Sequence, residues 1–100
     1  MVYTVTPAVR AAARRCGVVV RPSTTPGKKL DAFVDGTKIR AFGDATMSDY
    51  HVYLRTHGRE YAQRRRDAYW SRHRRDAARK YAADGRLSAG WLAAHILWPR

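Results

Sequence analysis

One hundred residues carry 20 Lys and Arg against 8 Asp and Glu, a net charge of +12 with His neutral. That length sets one domain with a modest core, and that charge exceeds the roughly 2–8 of an ordinary small soluble domain. A single cysteine, Cys16, excludes an intramolecular disulfide, and no apolar run approaches the ~20 residues of a membrane span.

Sixteen of the 20 basic residues are Arg. Arg presents a planar fork that pairs bidentately with phosphate or carboxylate and is enriched at protein interfaces. A GC-rich genome, which raises Arg and Ala together, is the competing reading of the Arg:Lys ratio, but it does not explain the net charge. The first 15 residues hold no apolar run of the kind a secretion signal needs.

In chain order, Met1–Val5 reads as a possible short strand. Thr6 and Pro7 then give a cap and a first-turn proline, which predicts a helix over 7–16 stopped by Gly17. Val18–Val20 is a short extended run. Residues 21–29 hold Pro22, Pro26 and Gly27 and read as a linker. The division expected is therefore an N-terminal arm and linker over 1–28, and a hairpin plus helical body over 29–100.

Residues 29–42 predict a β-hairpin turning at Asp35-Gly36. With that loop Val34 faces Thr37 and Ala32 faces Ile39. Leu30, Ala32, Val34, Ile39 and Ala41 then share the core side, while Asp31 and Arg40 pair on the other side beside Phe33 and Phe42. Ser48 is expected to cap a helix over 49–56 closed by His57-Gly58. A long helix follows over 59–83, ended by Gly85, and Ser88 caps a last short helix through Leu97. The fold class is α+β.

The long helix concentrates the charge. From Arg59 to Tyr81 nine basic residues face three acids, an excess of six. The pairs Glu60–Arg64, Arg72–Asp76 and Asp76–Lys80 are four apart and expected to interact weakly. The residues expected to bind a partner are Arg64, Arg65, Arg66, Arg72, Arg74, Arg75 and Arg79, with Tyr61, Tyr69, Trp91 and Trp98. The stripe Tyr61, Ala62, Tyr69, His73, Ala77, Tyr81 fits a core face first. It also fits a protein contact, or rings stacking on bases beside Arg. Trp91 and Trp98, with Leu92, Ile96 and Leu97, either close the core or anchor a neighbouring subunit.

Catalytic chemistry finds no footing. His51, His57, His73 and His95 show no ligand spacing, Cys16 has no His near it in sequence, and there is no Gly-rich phosphate loop. No enzyme activity, metal or cofactor is expected. A peripheral membrane role is weak, because the stripe on the long helix holds Tyr but no Leu, Ile or Phe.

From residue 29 onward the order of motifs resembles a family of small basic proteins of large nucleocytoplasmic DNA viruses. The residues that carry it are Lys29-Leu30-Asp31-Ala32-Phe33, Phe42-Gly43, Ser48-Asp49-Tyr50, Tyr53-Leu54, His57-Gly58 and Tyr61-Ala62. Arg64-Arg65, Tyr69, Arg72-His73, Ser88-Ala89-Gly90-Trp91 and Leu97-Trp98-Pro99 complete it. The resemblance implies no activity or cofactor, a virion location, and manufacture in the host cytoplasm. With the linker, the apolar C-terminus and the Arg excess it leads to a first expectation: a minor capsid (cement) protein contacting the major capsid protein or other virion proteins. A non-specific nucleic-acid binder gripping phosphates is the alternative.

Overall fold

The structure, a computed structural model, describes residues 2–100; Met1, the first residue of the strand expected at the N-terminus, lies outside them. Val2–Val5 form no strand. Thr6 Oγ1 accepts a hydrogen bond from Val9 N at 3.3 Å, and Pro7 takes the first turn of the helix, where its missing N–H leaves nothing unpaired. The first helix, α1, runs Pro7–Arg15 and buries Val9, Ala12 and Ala13.

Three strands, β1 (Val19–Pro22), β2 (Lys28–Val34) and β3 (Thr37–Asp44), form one antiparallel sheet with β2 central. Asp35 and Gly36 make the expected two-residue turn, both at positive φ (51° and 78°), and Val34 pairs with Thr37. Residues 21–29 are not wholly a linker: Arg21 and Pro22 pair with Asp31 and Leu30. Pro22 is tolerated as the last residue of an edge strand.

The hairpin register differs from expectation. A bulge at Ala32/Phe33 pairs Phe33 with Lys38 but Ala32 with Arg40, so Ile39 is the extra residue. A one-residue slip moves side chains to the opposite face. Phe42 therefore sits opposite Leu30 and is fully buried, not on the outer side. The expected Asp31–Arg40 pair does not form. Asp31 bonds to Ser23 and Thr24 and lies 3.2 Å from Lys38 Nζ, whereas Arg40 reaches Asp84 and the Leu87 carbonyl.

Asp49, not Ser48, caps the next helix, accepting from Val52 N at 3.1 Å. This helix, α2, spans Tyr50–His57, and Gly58 at φ +88° links it to α3 (Arg59–Arg72). The single helix expected over 59–83 is absent. The chain breaks at His73 (φ −112°, ψ 27°), forms the short α4 (Arg74–Ala78), and is non-helical from 79 to 88. No Gly or Pro causes the break; packing does. Ala77 is buried, and Asp76 lies so close to Gly90 that a Cβ there would be 2.7 Å from the Asp76 Cβ.

Ser88 Oγ caps α5 (Ala89–Leu92), accepting from Trp91 N at 3.1 Å. The chain continues as a π-helical turn over Ala93–Leu97 rather than as α-helix. Three side chains pin this turn and the tail beyond it. His51 Nε2 donates to the Ile96 carbonyl (2.8 Å), Trp70 Nε1 to that of Trp98 (2.7 Å) and Arg66 to that of Pro99 (3.0 Å). Leu92, Ile96, Leu97 and Trp98 share one core with Leu30, Phe42 and Val20 and with α1. The boundary expected at residue 28 thus has no counterpart in the packing. Among the described residues no helix is long and apolar enough to cross a membrane.

Candidate nucleic-acid interface

Arg65, Tyr69 and Arg72 stand four and three residues apart on α3 and so share one face. They form one wall of a cleft of about 340 Å³. Lys29, Gly43 and Asp44 of the sheet, Met47 and Ser48 before α2, Tyr53 of α2, His73 after α3, and Ala93, Leu97 and Trp98 near the C-terminus complete it.

Rings run through this region without a gap. Trp98 stacks on Tyr69 (4.6 Å between centroids, 8°) and Tyr69 on His73 (4.3 Å, 24°). In the other direction Tyr53 lies 6.1 Å from Trp98 and 5.3 Å from Tyr61, which stacks on His57 at 4.4 Å. Arg64 and Arg65 lie over Tyr61 and Tyr53 at 5.8 and 5.2 Å, within cation–π range. Burial, helped by the charge of Asp76, pushes the Tyr69 hydroxyl pKa above its ordinary value, so the phenol stays neutral.

The charge around the rings is largely unmatched. Of the 16 arginines, only Arg40 and Arg100 come within 4.0 Å of a carboxylate among the described residues. None of the three expected helical pairs forms among them. Arg64 turns to the Tyr61 ring, and the break at His73 separates Arg72, Asp76 and Lys80 from a common helix; Asp76 lies 3.6 Å from His73 instead. Lys29 is not free: its Nζ lies 2.9 Å from Asp49 Oδ2, which also accepts from the Tyr3 hydroxyl at 2.7 Å. Asp44 is the one carboxylate lining the cleft. Hydrogen bonds from the Thr46 hydroxyl and backbone N–H hold its pKa below the usual range, so it is ionised there.

Of the residues expected to bind a partner, Arg64, Arg65, Arg72, Tyr61, Tyr69 and Trp98 come together here. Trp98 is a wall of the cleft and only 8 % exposed, so it belongs to the core rather than to a neighbour. Arg66 is a tail clamp: it is half-buried, 4.6 Å from the Tyr50 ring, and donates to Pro99. Arg74 and Arg75 line a shallow depression beyond His73, and Arg79 is exposed past α4. Trp91 lies in a separate cluster with His95, under the Lys80 ammonium. Sequence reasoning missed Tyr53 and His57. Their signal was present, since 53, 57 and 61 are spaced by four, but Gly58 interrupts the helix between them.

Among the described residues no three His, Cys, Asp or Glu side chains group to hold a metal ion. Burial pushes the Cys16 thiol pKa up, which disfavours a thiolate. No protein-family model matches the chain, nor does any curated protein or solved structure.

Proposed function

We propose that this chain is a non-enzymatic nucleic-acid-binding protein that grips phosphates with the arginines of α3 and α4. One observation carries the reading. Arg64, Arg65, Arg72, Arg74, Arg75 and Arg79 have no carboxylate within 4.0 Å among the described residues, and the first three border a continuous run of aromatic rings. Guanidinium forks suit phosphate, and rings suit bases. No element offers a base-reading helix with an established pattern, so binding is sequence-tolerant.

Fluorescence anisotropy of a short labelled oligonucleotide tests it. Six phosphate contacts give a slope of log K against log salt of about −5 on duplex and about −4 on a single strand. Absence of binding at roughly 50 mM salt, or a slope near zero, overturns the reading.

A second reading keeps the chain in a virus particle as a minor capsid protein bridging major capsid subunits. The resemblance from residue 29 onward favours it, as does the Arg excess. The fold does not supply the free arm or exposed apolar tail that would add to it, because α1, β1 and residues 92–98 share the core. Fractionation of purified particles separates the two: recovery with the genome supports the first, recovery with the shell the second.

A further inference from the structure

We propose that the cleft between α3 and the Gly43–Ser48 segment takes one base of a single-stranded nucleic acid, with neighbouring phosphates on Arg65 and Arg72. This rests on the nucleic-acid reading above and makes it more specific. Holding a duplex needs only outward-facing arginines, because its bases stay stacked on one another. This site has more than that. Its walls are rings and aliphatic groups: Tyr53, Tyr69, Trp98, Leu97 and the half-exposed Met47. At about 340 Å³ it lies at the low end of the ~300–1,000 Å³ of small-ligand sites, room for one planar unit and not for a chain.

The charge placement agrees. Arg65 and Arg72 are two helical turns apart, about 10 Å along the axis, and bracket Tyr69 between them. Both faces of Tyr69 are taken, by Trp98 and His73, so a base enters the cleft at the free face of His73 and keeps its own backbone outside, beside the two guanidinium groups. His73 ends the Trp98–Tyr69–His73 stack and its side chain is 40 % exposed, which leaves ring surface on which a base can continue the column. Asp44, the single acid lining the cleft, has its Oδ1 occupied by the Thr46 hydroxyl and backbone N–H, and Lys28 and Lys29 are the charges that act on it.

The test compares two strands of equal length and charge, an oligothymidylate and an abasic deoxyribose-phosphate strand, at one salt concentration. The oligothymidylate should bind roughly tenfold tighter, the scale of base–aromatic stacking, and quench tryptophan fluorescence. His73→Ala should bring the two affinities together by weakening the base-bearing strand alone. If His73→Ala does not fold, Met47→Ala at the exposed lip should give a smaller loss in the same strand. Polyglutamate should compete poorly with the oligothymidylate. Equal affinity for the two strands overturns the base site while leaving salt-dependent phosphate binding intact. Binding of neither strand removes both readings, and competition by polyglutamate at matched charge assigns the cleft to an acidic protein instead.

Discussion

Tyr69 and Trp98 lie ring on ring, 4.6 Å between centroids and 8° from parallel, although they are 29 positions apart in the chain. The stack exists because the tail is fixed from α2 and α3: His51, Trp70 and Arg66 take the carbonyls of Ile96, Trp98 and Pro99. One wall of the cleft is therefore made of the same contacts that close the core.

Truncating Tyr69 should accordingly damage both. Tyr69→Ala removes a half-buried ring and the face on which Trp98 packs, a loss of about 2–4 kcal/mol. Tyr69→Phe keeps the ring and should cost less than about 1 kcal/mol. Urea unfolding followed by tryptophan fluorescence distinguishes them. Equal stability of the alanine variant and the parent would show that the stack contributes nothing.

Beneath the cleft, Lys29 and Asp49 form an ion pair with the two side chains 6 % and 0 % exposed. Asp49 also caps α2 and holds the Tyr3 hydroxyl, so it joins the N-terminal segment, the sheet and the helix. Lys29→Met leaves a buried carboxylate without its cation, which costs about 3–5 kcal/mol. Tyr3→Phe removes only one of three partners and should cost about 1 kcal/mol. Chemical denaturation of the two variants side by side checks the order.

Local chemistry was legible in the sequence. Thr6-Pro7, Asp35-Gly36, His57-Gly58 and Ser88 each mark a boundary because a cap or a positive φ needs that residue type nearby. Arg65, Tyr69 and Arg72 were legible as candidate contacts from their residue types, and the structure sets them on one face of α3. Three features were not. The bulge at Ala32/Phe33 is a slip of one residue that buries Phe42, and nothing in the alternation of β2 and β3 announces it. The break at His73 lacks any breaker and comes from seating Ala77 and Asp76 against α5. Trp98 enters the cleft because hydrogen bonds from residues 28 to 45 positions away hold the carbonyls of Trp98 and Ile96.

Gly43 marks where the sheet meets the tail. It has φ +82°, and a Cβ there would lie 2.7 Å from Leu97 Cδ1 and 3.2 Å from Lys29 Cβ. Gly27 has nearly the same backbone, φ +81°, with open space around it. Gly27→Ala should cost about 1–2 kcal/mol for the left-handed conformation alone. Gly43→Ala adds overpacking of about 1–3 kcal/mol. Thermal unfolding of both variants isolates the contact, and equal shifts would mean that Leu97 simply moves aside.

Asp31 makes stability fall in acid. Burial pushes its pKa up, but hydrogen bonds from Ser23 and Thr24 and the Lys38 ammonium outweigh that and hold it below the ordinary value. The folded carboxyl thus binds its proton less readily than the unfolded one, which titrates near ~3.9. The contribution is complete above that unfolded value and is lost as pH falls through the folded one. The stability gap between the parent and Asp31→Asn should therefore be widest near neutral pH and close as pH falls below the ordinary carboxylate range. A gap that holds constant through that range would rule out the carboxylate as its source.

Arg40 fastens the segment between α4 and α5 to the sheet. Its Nη2 lies 2.8 and 2.9 Å from the two Asp84 oxygens, and its Nε donates to the Leu87 carbonyl at 2.9 Å. The Arg86 backbone N–H, then the Arg40 side chain, holds the Asp84 pKa below the usual range, so the pair persists in mild acid. Residues 79–88 otherwise rest on few backbone bonds, among them Ala82 N to Arg86 O and Ser88 N to Lys80 O. Arg40→Ala should speed hydrogen exchange at Ala82 and Ser88 by an order of magnitude or more while leaving β2 amides protected. Arg40→Lys should recover little of that protection, since an ammonium cannot reach both Asp84 and the Leu87 carbonyl in the fork geometry. Uniform loss of protection across the sheet would instead make Arg40 a global stabiliser. Unchanged exchange would leave the segment held by α5 alone.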